Sequence, residues 1–234
     1  MLGWLIGGHA AAGALYVALI NVPDSNALML GLSALLALLL LYTLATVEAT
    51  AVAWLVPGAT LRAALGRGVR AMPVVLAALA LAGACQILAD GLEAYARARA
   101  GEIDAWLIAA WDVMPTAWVH RTIAAAAFVL RWVVGVSLAV AALSAGIAGG
   151  PGRLLSTAWL RAGLSGQQLG LTAAALVLFV ALPWRIAGWR PVWVPPTWIE
   201  VAFVALKLGA LVVVGHVGWL LVLFAGVRGA TSRA

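Results

Sequence analysis

Long apolar runs decide what this sequence can fold into, because several of them are long enough to cross a membrane. A helix needs about 20 predominantly apolar residues to span a hydrocarbon core roughly 30 Å thick. The sequence predicts such helices over residues 2–20, 27–56, 73–95, 118–144, 168–182 and 197–225. We therefore predict an all-α integral membrane protein, a polytopic bundle of about six transmembrane helices.

The composition agrees with this class and leaves no room for a separate soluble domain. Of the 234 residues, 65% are hydrophobic and 9% are charged, and the mean hydropathy is +1.09. A soluble domain of this size with that composition would aggregate. The sequence thus predicts a single transmembrane domain over residues 1–234. The first 20 residues lack the basic start and the cleavage site of a signal peptide, so we predict that they are a retained span.

Arginines are distributed unevenly among the connections. The connections after the second and fourth runs, together with the C-terminal tail, hold seven arginines and no acidic residue. By the positive-inside rule these segments, and hence both termini, are predicted to be cytoplasmic in a cell inner membrane. The first two each begin with Pro-Gly and continue as a short amphipathic stretch, which predicts two interfacial helices. The net charge of +6 is explained by this topology, so no nucleic-acid partner is predicted.

The opposite side of the membrane is rich in tryptophan. Residues 96–115 are predicted to form an interfacial helix that closes at Pro115, and residues 183–198 contain four tryptophans, four prolines and two arginines. That composition is typical of an aromatic belt and forbids a continuous helix. It would also suit a contact with lipid phosphates or with a larger assembly. The residues proposed for this contact are Trp184, Arg185, Trp189, Arg190, Trp193 and Trp198.

Arg131 lies near the middle of the fourth apolar run. A charge at membrane depth costs roughly 2.5–3.5 kcal/mol on insertion scales, so its side chain should face other helices or a wet cavity. Asp90, near the end of the third run, is the first choice of partner, and Glu93 and Gln86 are the alternatives. We predict a buried ion pair that fixes helix packing, and the alternative is a polar pathway for protons or a substrate.

The sixth run contains Lys207 and His216, which are nine residues apart and therefore on opposite faces of a helix. Lys207 is predicted to belong to the polar interior or to reach outwards along the helix. His216 should lie at the same depth as His9 and Glu48, which belong to two other spans. Two histidines facing each other could bind haem b, and two histidines with a carboxylate could bind a metal. The alternative is a hydrogen bond between neighbouring helices.

These features favour a non-enzymatic membrane subunit or transporter-like module of a larger complex, with the lipid bilayer and other membrane subunits as partners. The alternative is a redox subunit that binds haem through His9 and His216. A second alternative is a lipid-modifying enzyme. Its catalytic base would be sought among Asp90, Glu93, Asp112 and His120. The sequence contains no phosphate-binding glycine loop, no HExxH and no Gly-x-Ser-x-Gly motif.

Overall fold

A computed structural model describes residues 1–23, 26–56, 58–111, 118–188 and 198–231. Within these ranges every regular element is helical. The α-helices are α1 (Leu2–Ile20), α2 (Ala27–Trp54), α3 (Leu61–Arg70), α4 (Met72–Ala98), α5 (Ala100–Trp111), α6 (Trp118–Phe128), α7 (Gly135–Gly149), α8 (Ala158–Gly163), α9 (Gly166–Leu176), α10 (Leu182–Gly188) and α11 (Trp198–Thr231). A π-helical segment joins α6 to α7 and another joins α9 to α10.

The described residues contain six helical segments that are long and apolar enough to cross a membrane. They are Leu2–Ile20, Ala27–Trp54, Met72–Ala98, Val119–Gly149, Gly166–Gly188 and Trp198–Arg228. The predicted all-α polytopic bundle is thus confirmed. Between the spans lie short helices on the surface, of which α3 carries the basic residues predicted after the second run.

Local sequence signals explain where several helices begin. The side chains of Asn26, Thr60 and Ser165 each accept a hydrogen bond from a backbone N–H three residues later, which caps α2, α3 and α9. Two connections also need a glycine, because Gly58 and Gly150 have φ angles of 77° and 81°. Other residues rarely adopt that region.

The fifth span differs from the prediction. The sequence predicts that this helix ends at residue 182 and that no continuous helix follows over residues 183–198, but the chain continues as α10 to Gly188. The π-helical segment Val177–Ala181 ends two residues before Pro183. A wider turn there shifts the hydrogen-bond ladder at the point where proline has no N–H to contribute. Pro115, Trp189, Arg190 and Trp193 lie outside the described residues.

Close helix packing builds the centre of the bundle. A Cβ atom added to Gly8 on α1 would lie 2.3 Å from Val47 on α2, and one added to Gly146 on α7 would lie 2.3 Å from Val74 on α4. These pairs therefore come closer than any side chain at the glycine would allow. Helix α11 packs against α7 and also contacts α1 and α2. The three helices α1, α2 and α11 meet around the polar side chains described next.

Candidate functional site: a histidine–carboxylate centre between three spans

The structure brings together His9 of α1, Glu48 of α2 and His216 of α11. His9 Nδ1 lies 3.1 Å from His216 Nε2, and His9 Nε2 lies 3.0 Å from Glu48 Oε1. The two imidazole rings meet edge to face, with centroids 5.0 Å apart and an interplanar angle of 61°. His9 is therefore the middle member of a hydrogen-bonded chain, hereafter the histidine centre, that links three spans.

The positions of these residues along their helices account for the meeting. His9 is seven residues from the start of α1 and Glu48 is six residues from the end of α2, which places both about 10 Å from the same end of the bundle. Successive spans alternate in direction, so His216 in the C-terminal half of α11 reaches the same side. A second bond fixes its ring, since His216 Nδ1 donates to the Val212 carbonyl oxygen at 2.7 Å.

Trp219 is a fourth member of the histidine centre, and it is not among the predicted site residues. Its indole Nε1 donates a hydrogen bond to Glu48 Oε2 at 2.8 Å, so both oxygens of this carboxylate are engaged. Trp219 follows His216 by three residues and hence lies on the same face of α11. That spacing was the available signal.

An open pocket of about 350 Å³ lies against the histidine centre. Besides the four polar members, its lining consists of Leu211, Val212 and Gly215 of α11. Glu48 and Trp219 also line a second cavity, of about 230 Å³, which is otherwise apolar and lies between α2, α4, α7 and α11. Glu48 therefore lies between the open pocket and a second, apolar cavity.

The geometry of the two histidines bears on the haem and metal hypotheses. Metal–nitrogen bonds of about 2 Å place two trans imidazole nitrogens roughly 4 Å apart. The facing nitrogens of His9 and His216 are 3.1 Å apart and in hydrogen-bond contact, so haem would require the rings to separate. Among the described residues, no group of three or more His, Cys, Asp or Glu side chains is arranged to hold a metal ion. Haem b binding stays a prediction that this arrangement does not favour.

A second polar cluster, hereafter the arginine network, lies towards the other end of the bundle. The Arg131 guanidinium donates from Nη2 to Asp90 and, at 2.8 Å, to Glu93 Oε2. Glu93 in turn accepts from Arg97 Nη2 at 2.6 Å. The structure thus places both candidate carboxylates beside Arg131, and Glu93 is the more buried, with 17% of its side chain exposed against 67% for Asp90. Gln86 lies half-buried one turn before Asp90.

Arg131 belongs to the π-helical segment Val129–Val134. Its Nε atom is buried and has no hydrogen-bond partner among the described residues. The network contains two guanidinium groups and two carboxylates, so its formal charges balance. It joins α4 to the fourth span, whereas the histidine centre joins α1, α2 and α11.

The other predicted site residues lie away from both clusters. Lys207 Nζ donates to the Ala187 carbonyl oxygen at 3.0 Å, a bond that connects α11 to α10. The same nitrogen lies 4.7 Å from the centre of the Phe203 ring, which is also on α11. Trp184, Arg185 and Trp198 are exposed. His120 is exposed near the start of α6. Of the candidate bases for a lipid-modifying enzyme, Asp90 and Glu93 are paired with Arg131, and Asp112 lies outside the described residues.

Comparison with known proteins adds no function. No protein-family model, no curated protein and no solved structure matches this chain. The function is therefore inferred from the two polar clusters and the pocket beside one of them.

Proposed function

We propose that this chain is a non-enzymatic membrane module of the transporter type, and that the histidine centre is its working site. The observation that carries the proposal is the chain of three ionisable side chains from three spans, hydrogen-bonded at membrane depth beside an open pocket of about 350 Å³. The arginine network is the structural counterpart, which fixes α4 against the fourth span.

Two physical arguments support this role. Ionisable side chains inside a membrane are costly, and where they occur they mark ion or substrate pathways or pair with one another. In the histidine centre they do both, since they are paired and also line a pocket. In addition, transported species bind where spans meet, because relative movement of those spans then changes access to the site.

We also propose a membrane location and an orientation for this chain. The arginine-rich connections support an inner-membrane orientation with cytoplasmic termini, which would put the histidine centre in the cytoplasmic half. A cysteine at Ser156, which is exposed in the connection between the fourth and fifth spans, tests this orientation. It should react with an impermeant maleimide only from the cytoplasmic side. Exposed tryptophans such as Trp184 and Trp198 support contact with other membrane subunits or lipid headgroups.

Thiol accessibility tests the working site without knowledge of a substrate. The only native cysteine, Cys85, is buried and can be changed to alanine to give a thiol-free background. In that background Gly215→Cys places a thiol in the pocket lining, at a position where an added Cβ meets only the Phe179 carbonyl oxygen at 3.7 Å. Ile87→Cys is the matched control, because Ile87 is 75% exposed at mid-span on α4 and should face lipid.

We expect a membrane-impermeant maleimide to label Gly215→Cys at least about tenfold faster than Ile87→Cys in vesicles, since the reactive thiolate forms in water and not in lipid. Equal and negligible labelling of both positions would show that water does not reach the centre. The transport role would then be wrong.

A further inference from the structure

We propose that the histidine centre holds one exchangeable proton, so that the ion handled by this module is H⁺. The inference rests on the transport function proposed above and names the ion that is transported. It rests on the hydrogen-bond partners of His9 and His216, which together decide how many protons the centre contains.

The partners of the ring nitrogens determine the tautomers. A carbonyl oxygen can only accept, so the contact with Val212 places a hydrogen on His216 Nδ1. In a neutral ring His216 Nε2 is then an acceptor. The 3.1 Å contact with His9 Nδ1 then requires a hydrogen on that nitrogen of His9; a protonated His216 would donate to His9 Nδ1 instead, with the same total number of protons in the centre.

The remaining contact, between His9 Nε2 and Glu48 Oε1 at 3.0 Å, also needs a hydrogen. It sits either on Glu48, with both rings neutral, or on His9, with an imidazolium facing a carboxylate. Both forms contain the same number of protons and have zero net charge. Both also leave Glu48 Oε2 free to accept from Trp219, as observed at 2.8 Å. The geometry thus requires one proton more than an ionised Glu48 with two neutral histidines would hold.

Among the residues that the structure describes, no other charged group lines the pocket and could replace that proton. The groups that face the centre from α1, α2 and α11 are His9, Glu48, His216 and Trp219, and the remaining lining residues are Leu211, Val212 and Gly215. The cavity on the far side of Glu48, towards α4 and α7, is lined by aliphatic side chains apart from Glu48 and Trp219. The histidine centre is therefore electrically neutral only while it holds the proton shared by His9 and Glu48.

Loss of the proton changes the centre in a defined way. The proton passes from the His9–Glu48 pair to water in the open pocket, and one negative charge stays on the centre. His216 Nδ1 keeps its hydrogen, which is donated to the Val212 carbonyl oxygen. The one hydrogen left on His9 lies on Nε2 and is donated to the ionised Glu48 carboxylate, which is the stronger acceptor, so His9 Nδ1 and His216 Nε2 have no hydrogen between them. Two acceptors at 3.1 Å repel, so α1 and α11 lose the bond that joins them. Protonation holds these spans together and deprotonation releases them.

Histidine ¹⁵N NMR of the full-length protein in lipid nanodiscs tests the inference. The chain has three histidines, and His120→Gln removes the exposed one and leaves the two of interest. The comparison variant is Glu48→Gln, whose amide can donate to His9 Nε2 and whose oxygen can accept from Trp219. It imitates the protonated carboxyl group permanently. Proton release on a jump to alkaline pH is measured with an indicator on the same samples.

We expect His216 Nδ1 to be protonated throughout. In the wild type, raising the pH should remove one hydrogen from the centre and release about one proton per chain more than in Glu48→Gln. In Glu48→Gln the His9–His216 hydrogen bond should persist over the same range. If His216 Nδ1 has no hydrogen, or if the two proteins release equal numbers of protons, the inference is wrong. Should Glu48→Gln fail to fold, the wild-type spectra alone decide between these results.

The two tests fail in different ways. Absence of thiol labelling at Gly215 would remove the transport role and leave the proton count intact. An unprotonated His216 Nδ1 would remove the proton and leave a water-filled pocket whose occupant is something else.

Discussion

The arginine network and the histidine centre are two ways of placing polar side chains inside one membrane bundle. Arg131 has donors only and remains charged under all ordinary conditions, and the carboxylates of Asp90 and Glu93 accept from it. The histidine centre is built from groups that can each be donor or acceptor, depending on where a proton lies. The first arrangement has one stable protonation pattern and suits a fixed joint. The second can change its charge, and it alone of the two borders the open pocket lined by His9 and His216.

The largest effect on stability should come from Arg131→Leu. Removal of the guanidinium leaves the Glu93 and Asp90 carboxylates without their interhelical partner, which is more costly than absence of the whole pair. Thermal unfolding in detergent should show the largest loss of stability in the series for this variant. Adding Glu93→Leu should restore more stability than adding Asp90→Leu, because Glu93 is the more buried partner. Independent, additive effects would contradict the network.

Two substitutions of Glu48 show whether the histidine centre needs a hydrogen-bonding group at this position or a negative charge. Glu48→Leu leaves His9 and Trp219 without their shared partner and should destabilise the protein by about 1–3 kcal/mol. Glu48→Gln keeps both contacts and should remain within about 1 kcal/mol of the wild type. Denaturant unfolding of the two variants, compared with the wild type, measures the difference. Equal losses would mean that the centre needs the charge itself.

Trp219→Phe should have a smaller effect. The substitution removes one hydrogen bond to Glu48 Oε2 and keeps most of the ring packing, so a loss of about 0.5–1.5 kcal/mol is expected. The proton count of the centre should not change. If the variant instead releases one proton fewer on an alkaline jump, Trp219 is part of the proton site and not only a support for the carboxylate.

His120→Gln should have the smallest effect. This histidine is exposed near the start of α6, and substitutions at such positions usually change stability by less than about 0.5 kcal/mol. It is therefore the matched control for histidine loss. A large effect on unfolding or on charge movement would show that the exposed surface around His120 has a role that neither polar cluster explains.

The sequence predicted the spans well because a span is a matter of length and hydropathy. The ends of α1 and α2 fall within two residues of the prediction, since they depend on local signals such as the Asn26 cap and the Pro-Gly connection. The π-helical segments around Arg131 and before Pro183 were not predicted. The second lies close to Pro183, whose missing N–H a hydropathy pattern does not report.

The sequence predicted the depth of the candidate site residues in the membrane but not which way their side chains point. Counting residues placed His9, Glu48 and His216 at one level, and placed Asp90 within reach of Arg131. Whether such residues touch depends on which spans are neighbours and how each is rotated, and these are properties of the whole bundle. For the same reason Trp219, whose indole donates a hydrogen bond to Glu48 Oε2, was not predicted as a site residue.

Charge movement after a pH jump tests the central claim most directly. Proteoliposomes adsorbed on a solid-supported membrane would be exposed to a step in pH, with wild type, Glu48→Gln and His120→Gln compared at equal protein density. We expect a transient current in the wild type and in His120→Gln and its loss in Glu48→Gln, because only Glu48→Gln lacks the exchangeable proton. An undiminished current in Glu48→Gln would contradict the assignment of the histidine centre as the proton-handling site of this protein.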